Sequence, residues 1–167
     1  PDKKPQLSTS KEIFSGLVEL VGSSLRARGI ELIINDLDQV ELYTYTNELT
    51  HVFMNLLNNA KEAISSSKVE EGVIDVTVMQ EGENLMIIVA DNGGGITNGL
   101  LTRIFELYFS TKEKLSGTGL GLYMSKTIIE EHLKGALRAF NSDVGACFEI
   151  LIPMKLSCET LPQIQRT

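Results

Sequence analysis

The stretch that decides the fold is residues 47–64, which reads NELTHVFMNLLNNAKEAI. Its apolar side chains recur every three or four positions and fall within one arc of a helix with 3.6 residues per turn. Asn47 stands where it can cap this helix, and the serines at 65–67 close it. The pattern therefore predicts a long amphipathic helix whose apolar side packs against a second layer of structure.

Upstream of this helix, the sequence predicts another helix followed by two short strands. Residues 1–8 carry two prolines and mixed charge, so we expect a linker there. Apolar residues then recur at helical spacing from Ser10, the expected N-cap, to Gly29, a stop signal. Residues 30–34 and 40–45 are rich in β-branched and aromatic side chains and predict a strand pair or hairpin.

Downstream, apolar runs predict four more strands, of which the first two form an antiparallel hairpin. They are residues 74–78, 85–90, 136–140 and 147–152. Glycines at 117–121 open a helix that runs to about Leu133, and 155–167 is expected to be a loose tail after a domain spanning 9–154. This order predicts an α/β (α+β) two-layer sandwich, with one mixed, largely antiparallel sheet and about three helices on one face.

Length and charge argue against several classes of protein. A chain of 167 residues is the size of one domain, and 15 basic against 22 acidic residues give a net charge of −7. That charge argues against a nucleic-acid or anionic-membrane surface. The longest apolar run, Leu85–Ala90, is too short for a membrane span, and the polar residues 1–5 are unlike a signal peptide. Cys147 and Cys158 form neither a disulfide framework nor a zinc motif, so we expect a cytoplasmic setting.

Asn55 and Asn59 are four residues apart, so they share one face of the central helix at the edge of its apolar arc. Asn is a poor helix former, and its repeated use here lowers helix propensity. One interpretation is the polar margin of an amphipathic helix, which Glu48 and Glu62 extend at its ends. The other is a pair of neutral oxygen ligands for Mg²⁺ bound to nucleotide phosphates.

Two glycine-rich segments are candidates for contact with a ligand. Asp91 ends an apolar strand and is followed by Asn92 and three glycines at 93–95. This is typical either of a tight turn or of a close approach to a flat ligand whose amino group donates to the carboxylate. Residues 117–122, GTGLGL, open a helix, where backbone amides and the helix dipole favour a phosphate; the alternative is a flexible hinge. The spacing is neither that of a P-loop nor that of a dinucleotide fingerprint.

Residues 105–112, FELYFSTK, are rich in aromatic side chains and end in a lysine. They predict either a hinged lid whose lysine reaches a phosphate or a surface helix with a solvated lysine. His51 falls on the polar side of one helix and His132 in the last turn of another, where both are expected to be structural.

In this order, the segments resemble the N, G1, F and G2 boxes of the sensor histidine kinases. The corresponding residues are 55–60, 91–96, 105–112 and 117–122, and residues 145–150 are similar to the final strand motif. The resemblance covers roughly residues 10–154. It implies the catalytic ATP-binding domain of a two-component kinase, with the Bergerat α/β sandwich that gyrase B, Hsp90 and MutL share.

The resemblance also implies roles for individual residues. Asp91 would bind the adenine amino group, and Gly93, Gly95 and Ile96 would shape the adenine pocket. Asn59 would ligate Mg²⁺, with Asn55 close to the same metal and to the phosphates of ATP. The phosphate cradle would comprise Gly117, Thr118, Gly119, Leu120, Gly121 and Leu122, and the mobile lid would include Phe105 and Lys112.

Asn55 decides which reaction the resemblance implies. ATP-hydrolysing relatives of this fold carry a Glu four residues before the Mg²⁺ asparagine as the general base, and an amide cannot take a proton at neutral pH. We therefore expect little hydrolysis, and transfer of the γ-phosphoryl group to a histidine on a dimerisation domain absent from this chain. From there the phosphate would pass to a response regulator. The chain would be a fragment of a homodimeric parent protein, whose membrane anchoring the sequence leaves open.

Three departures from the family's pattern are visible. Glu62 stands where many members carry Lys, Ala146 stands where the last strand usually has Thr or Ser, and neither histidine lies in a phosphoacceptor motif. The alternatives are a conformational ATPase of the gyrase or chaperone type, which would need Glu48 or Glu62 as its base, and a non-catalytic nucleotide-binding interaction module.

Overall fold

The computed structural model describes residues 4–107 and 120–157. Within these ranges the strands are β1 (Gln6–Thr9), β2 (Ile30–Asp36), β3 (Glu41–Thr44), β4 (Gly72–Glu81), β5 (Asn84–Asp91), β6 (Ala136–Asn141) and β7 (Ala146–Pro153). The helices are α1 (Ser10–Ala27), α2 (Thr46–Ser66) and α3 (Gly121–Thr127), and α3 continues into a π-helical turn, Ile128–His132. No helix in this described part combines the length and apolar character needed to cross a membrane.

Five strands form the main sheet in the order β2-β4-β5-β7-β6. β2 runs parallel to β4, and the other three neighbouring pairs are antiparallel. β5 therefore lies at the centre of the sheet, and its last residue, Asp91, pairs with Ile74 of β4. The predicted mixed, largely antiparallel sheet is confirmed, as is the β4–β5 hairpin.

The helices cover one face of this sheet and form the core with it. Burial alternates along β4 and β5, so that Ile74, Val76, Val78, Leu85, Ile87 and Val89 are buried. Leu49, Val52, Phe53, Leu56, Leu57, Ala60 and Ile64 of α2 are buried as well. α1 joins them through Phe14, whose ring centroid lies 5.0 Å from that of Phe53. Burying one side chain of this size stabilises the fold by about 2 kcal/mol, so packing compensates for the weak helix propensity of the asparagines in α2.

The predicted pairing of residues 30–34 with residues 40–45 is wrong. β2 pairs with β4, because Leu32 and Ile34 extend the core beyond β4. β3 pairs instead with β1, which comes from the segment predicted to be a linker. Closeness along the chain favours a hairpin, whereas burial of the β2 side chains requires β4 as the neighbour.

The predicted N-caps are also displaced. Thr9 rather than Ser10 caps α1, since its Oγ1 accepts a hydrogen bond from the Glu12 N–H at 3.2 Å. Ser10 is fully buried as the first helical residue. In α2 the N-cap position belongs to Tyr45, which makes no side-chain cap, and Asn47 lies inside the first turn.

The ordered chain extends past residue 154, the predicted end of the domain. Leu156 is buried, and its N–H donates to the Tyr43 carbonyl at 2.9 Å. The Tyr43 N–H in turn donates to the Met154 carbonyl at 2.8 Å. The start of the predicted tail is therefore tied to β3, while its remainder, residues 158–167, lies outside the described residues.

Two glycines provide a test of this packing. A Cβ at Gly135, which precedes β6, would lie 2.1 Å from the Leu151 carbonyl oxygen, whereas one at Gly16 in α1 would meet nothing within 4 Å. We expect Gly135→Ala to lower the free energy of unfolding by about 1–3 kcal/mol through overpacking. Gly16→Ala should raise it by about 1 kcal/mol through helix propensity. Urea denaturation measures both, and a neutral Gly135→Ala would contradict the described contact with β7.

Candidate nucleotide-binding site

Three elements meet where the candidate residues lie. α2 packs against β5 on one side and against α3 on the other. β5 ends at Asp91, and α3 begins at Gly121, within the glycine-rich segment 117–122. The fold therefore brings the end of the central strand, the asparagines of α2 and the start of α3 to one region.

Asp91 is a buried carboxylate, 5% exposed, at the end of the central strand. It follows Ile87 and Val89 on the side of the sheet that the helices cover. Its Oδ1 accepts a hydrogen bond from the Gly93 N–H at 2.8 Å, which turns the chain immediately after the strand. A buried carboxylate is suited to accept a hydrogen bond from a polar group of a ligand.

Hydrogen bonds fix the first part of the loop after β5. The side chain of Asn92 accepts from the Val73 N–H at 2.8 Å and donates to the Glu71 carbonyl at 2.9 Å. The Gly94 N–H donates to the Val144 carbonyl at 3.0 Å. The loop is thus tied both to the start of β4 and to the turn between β6 and β7.

Asn141, the last residue of β6, fixes the next part of the same loop. Its Oδ1 accepts from the Ile96 N–H at 2.9 Å, and its Nδ2 donates to the Ile96 carbonyl and to Asn98 Oδ1. Ile96 packs against the core. One side chain therefore pairs with the backbone of Ile96 in the way that a neighbouring strand would.

The glycines of this region are required by close backbone approach. A Cβ at Gly93 would lie 2.8 Å from backbone atoms of Ala63 and Ile64, so the loop rests directly on α2. Gly95 has φ +85°, in the left-handed region that favours glycine. The close approach seen here is to α2 and to Asn141, and the predicted approach to a flat ligand stays a prediction.

Asn55 and Asn59 are both half-buried on α2. Asn55 Nδ2 donates to the Gly121 carbonyl at 3.4 Å and to Ser125 Oγ at 3.2 Å, both on α3. The side chain of Asn59, one turn further along α2, has no hydrogen-bond partner among the described residues. The polar margin of α2 is therefore in contact with the start of α3, as a shared site requires.

Phe105 marks the described part of the predicted lid. Its ring packs edge-on against Phe148 of β7 at 6.3 Å, and the Lys126 Nζ lies 4.8 Å from its centroid. Leu120 precedes α3, and Leu122 packs against the core. Lys112, Gly117, Thr118 and Gly119 lie outside the described residues.

The two histidines lie in different surroundings. His132 Nδ1 lies 3.1 Å from Glu48 Oε1, so this pair links the end of the α3 segment to the start of α2. His51 is exposed on α2. Glu48 is therefore engaged elsewhere than at the asparagine pair.

Sequence reasoning did not identify two residues that shape the site. Asn141 offers a usable signal, since Asn is uncommon in strands and here ends one. Ser125 offers none, because a single serine in a short helix next to apolar residues is unremarkable in composition. Its importance depends on contact with Asn55, 70 positions away in the sequence.

Cys147 of β7 lies close to this site. It is 6% exposed. Burial raises the pKa of its thiol, a hydrogen bond with Ser142 acts in the opposite direction, and the negative charge of Asp91 adds to the increase. The thiol is therefore protonated and shielded in the folded chain.

The fold is an α/β sandwich with helices covering its sheet. Its candidate ligand site combines a buried aspartate at the end of the central strand with a glycine loop that rests on an asparagine-bearing helix. Residues 44–156 match the family described as histidine kinase-, DNA gyrase B- and HSP90-like ATPase, and the chain belongs to this family. The family predicted from the sequence motifs is confirmed.

Similar proteins include sensor kinases. The two-component sensor PprA of Pseudomonas aeruginosa is 34% identical over 153 residues, which cover 87% of this chain and 16% of PprA. The solved catalytic domain of histidine kinase ThkA is 25% identical with a TM-score of 0.81, over 91% of this chain and 97% of that one. A structure of ThkA in complex with the response regulator TrrA matches with a TM-score of 0.77 and 24% identity, over 90% and 42% of the two chains. The chain thus spans about a sixth of PprA.

Thiol labelling tests the placement of Cys147. Because burial raises its pKa, we expect iodoacetamide at mildly alkaline pH to modify Cys147 far more slowly in the folded chain than in urea. Peptide mass spectrometry distinguishes it from Cys158. The Cys147 thiol keeps its proton to higher pH in the folded state than in the unfolded state. The stabilisation that comes from the protonated thiol is therefore fully present below the unfolded pKa, and it is lost as pH rises through the folded pKa. Equal labelling rates with and without urea would contradict the buried position.

Proposed function

We propose that this chain binds Mg²⁺–ATP and acts as the catalytic domain of a sensor histidine kinase, donating the γ-phosphoryl group to a histidine outside the chain. The observation that carries this proposal is the buried Asp91 carboxylate, held at the centre of the sheet beside a loop that rests on α2. Membership of the ATPase family supports ATP as the ligand.

Asp91 fits the exocyclic amine of adenine, since a carboxylate accepts hydrogen bonds and an amine donates them. Gly93 and Gly95 let the loop after β5 pack closely against α2 and against Asn141, and Ile96 provides an apolar side chain in the same loop. Ala146 is buried and has no side-chain polar atom. We therefore propose that adenine recognition depends on Asp91 and on apolar contact.

The amide oxygens of Asn59 and Asn55 fit a hard cation that also binds nucleotide phosphates. Within the described ranges, no cluster of three His, Cys, Asp or Glu side chains offers a metal site independent of nucleotide. Mg²⁺ would neutralise charge on the phosphates. The phosphate cradle is proposed to be residues 117–122, of which Gly121 contacts Asn55. Lys112 is proposed as a lysine of the lid that binds a phosphate.

The chemistry of α2 favours phosphoryl transfer over hydrolysis. Asn55 cannot act as a general base, because its amide takes no proton at neutral pH. Glu48, one candidate base of a conformational ATPase, is hydrogen-bonded to His132. The proposed role of Asn55 is thus to hold ATP in place while water remains unactivated, so that the nucleophile has to come from another domain.

We propose that this nucleophile is a histidine on the dimerisation domain of the same parent protein, which is a homodimer. A response regulator then accepts the phosphate, by analogy with ThkA, whose structure was solved with the response regulator TrrA. The domain, predicted as residues 9–154, is extended by its described contacts to run from β1 to Leu156. We place it in the cytoplasm, without nucleic-acid or membrane contact of its own. The net charge of −7 argues against nucleic-acid and anionic-membrane contact, and the cysteine usage supports the cytoplasmic setting.

Asp91→Asn tests the adenine contact, because it keeps the shape of the side chain but replaces an acceptor oxygen with a donor. We expect ATP affinity to fall roughly 10- to 100-fold, the usual worth of a hydrogen bond to a charged group. Isothermal titration calorimetry measures the change. Asp75→Asn is the matched control, since Asp75 bonds to Asn35 and Thr77 on the opposite face of the sheet. Equal affinity of Asp91→Asn and the unmodified chain would refute the contact.

Labelling with γ-labelled ATP tests the transfer. The chain alone is expected to gain no acid-labile label, and label should appear on the histidine-bearing helical fragment of the parent protein when that fragment is added. Label on His51 or His132 would overturn the proposal. Rapid ATP turnover by the chain alone would favour a conformational ATPase, and ATP binding without transfer would favour an interaction module.

A further inference from the structure

Ser125 is a buried polar residue that the proposed function leaves without a role. It is 0% exposed, and its Oγ accepts a hydrogen bond from Asn55 Nδ2 at 3.2 Å. A buried hydroxyl lowers stability unless it is hydrogen-bonded, so this contact between α2 and α3 is a specific arrangement.

The neighbours of Asn55 determine the orientation of its amide. The Gly121 carbonyl oxygen can only accept hydrogen bonds, so the amide atom that faces it at 3.4 Å has to be the nitrogen. Ser125 Oγ is the second acceptor within reach of the same nitrogen. Both partners therefore engage Nδ2, and Oδ1 has no hydrogen-bond partner among the described residues.

We propose that Ser125 is a positioning residue for the nucleotide site. Together with the Gly121 carbonyl it holds the Asn55 amide so that Oδ1, rather than the NH₂ group, is presented to the Mg²⁺–phosphate group. Ser125 acts through Asn55 and does not touch the nucleotide. This inference rests on the proposed function, because it assigns an orientation to a residue of the same site.

The alternative orientation of the amide is unfavourable on both sides. If the amide were reversed, Oδ1 would face the Gly121 carbonyl oxygen, and two acceptors would repel each other. The NH₂ group would then point towards a cation. Gly121 and Ser125 lie one turn apart on α3, so a single docked helix supplies both partners of Nδ2.

The orientation can be measured without nucleotide. We expect Ser125→Ala to shift the side-chain amide NMR signals of Asn55 and to speed the exchange of these hydrogens with water. Ser10→Ala is the matched control: Ser10 is equally buried, and its Oγ accepts from the Val40 N–H at 3.0 Å at the start of α1. Ser10→Ala should leave the Asn55 signals in place. Unchanged Asn55 signals in Ser125→Ala would overturn the inference.

Affinity for a non-hydrolysable ATP analogue provides the second readout. With Mg²⁺ present, we expect Ser125→Ala to bind roughly five- to tenfold more weakly, the net worth of one hydrogen bond. The same change should have no effect on affinity in EDTA, because Mg²⁺ is then absent. It should also have no effect in an Asn55→Ala background, because the amide that would contact Mg²⁺ is then absent. An equal loss under all these conditions would show that Ser125 is only structural.

The controls separate this inference from the proposed function. If the unmodified chain fails to bind the analogue with Mg²⁺, the proposed function is wrong. If it binds and Ser125→Ala binds equally well, the proposed function stands and the positioning role of Ser125 is refuted.

Discussion

The loop after the central strand lies directly on the backbone of α2, and the rest of the site depends on this contact. The space at Gly93 admits no Cβ, because backbone atoms of Ala63 and Ile64 would lie 2.8 Å from it. This close approach places the buried Asp91 carboxylate and the polar edge of α2 on either side of one region. Because this contact joins a sheet to a helix through their backbones, it fixes the position of the candidate site without specialised side chains.

Side-chain amides hold this backbone in place. Asn92 bonds to two backbone groups near the start of β4, and Asn141 bonds to both backbone groups of Ile96. An amide both donates and accepts, so a single asparagine satisfies a backbone N–H and a carbonyl that have left a regular strand. Being uncharged, it does so without the desolvation penalty that a buried carboxylate or ammonium group would carry. Asn92 and Asn141 therefore take the place of strand pairing at the end of the sheet where the candidate site lies.

The sequence predicts those parts of the molecule that local periodicity determines. Helix α2 and the β4–β5 hairpin follow from 3.6-residue and two-residue repeats, and Asp91, Asn55 and Asn59 belong to local motifs. The parallel pairing of β2 with β4 is not local, and the sequence suggested a hairpin instead. The same holds for the supporting residues of the site. Asn141 acts on a backbone group 45 positions away, and Ser125 on a side chain 70 positions away, so neither leaves a local pattern.

The amide of Asn55 has two consequences, one for the packing of α3 on α2 and one for the reactivity of water. Its NH₂ donates to a carbonyl and a hydroxyl of α3, whereas a carboxylate in the same place would set an oxygen against the Gly121 carbonyl. The same amide has no basic site at neutral pH, so it joins α2 to α3 without activating water. A domain whose nucleophile arrives on a separate domain needs ATP to remain intact until that encounter. Under the proposed function, the contact that docks α3 on α2 is therefore made by a group that would also leave bound ATP unhydrolysed.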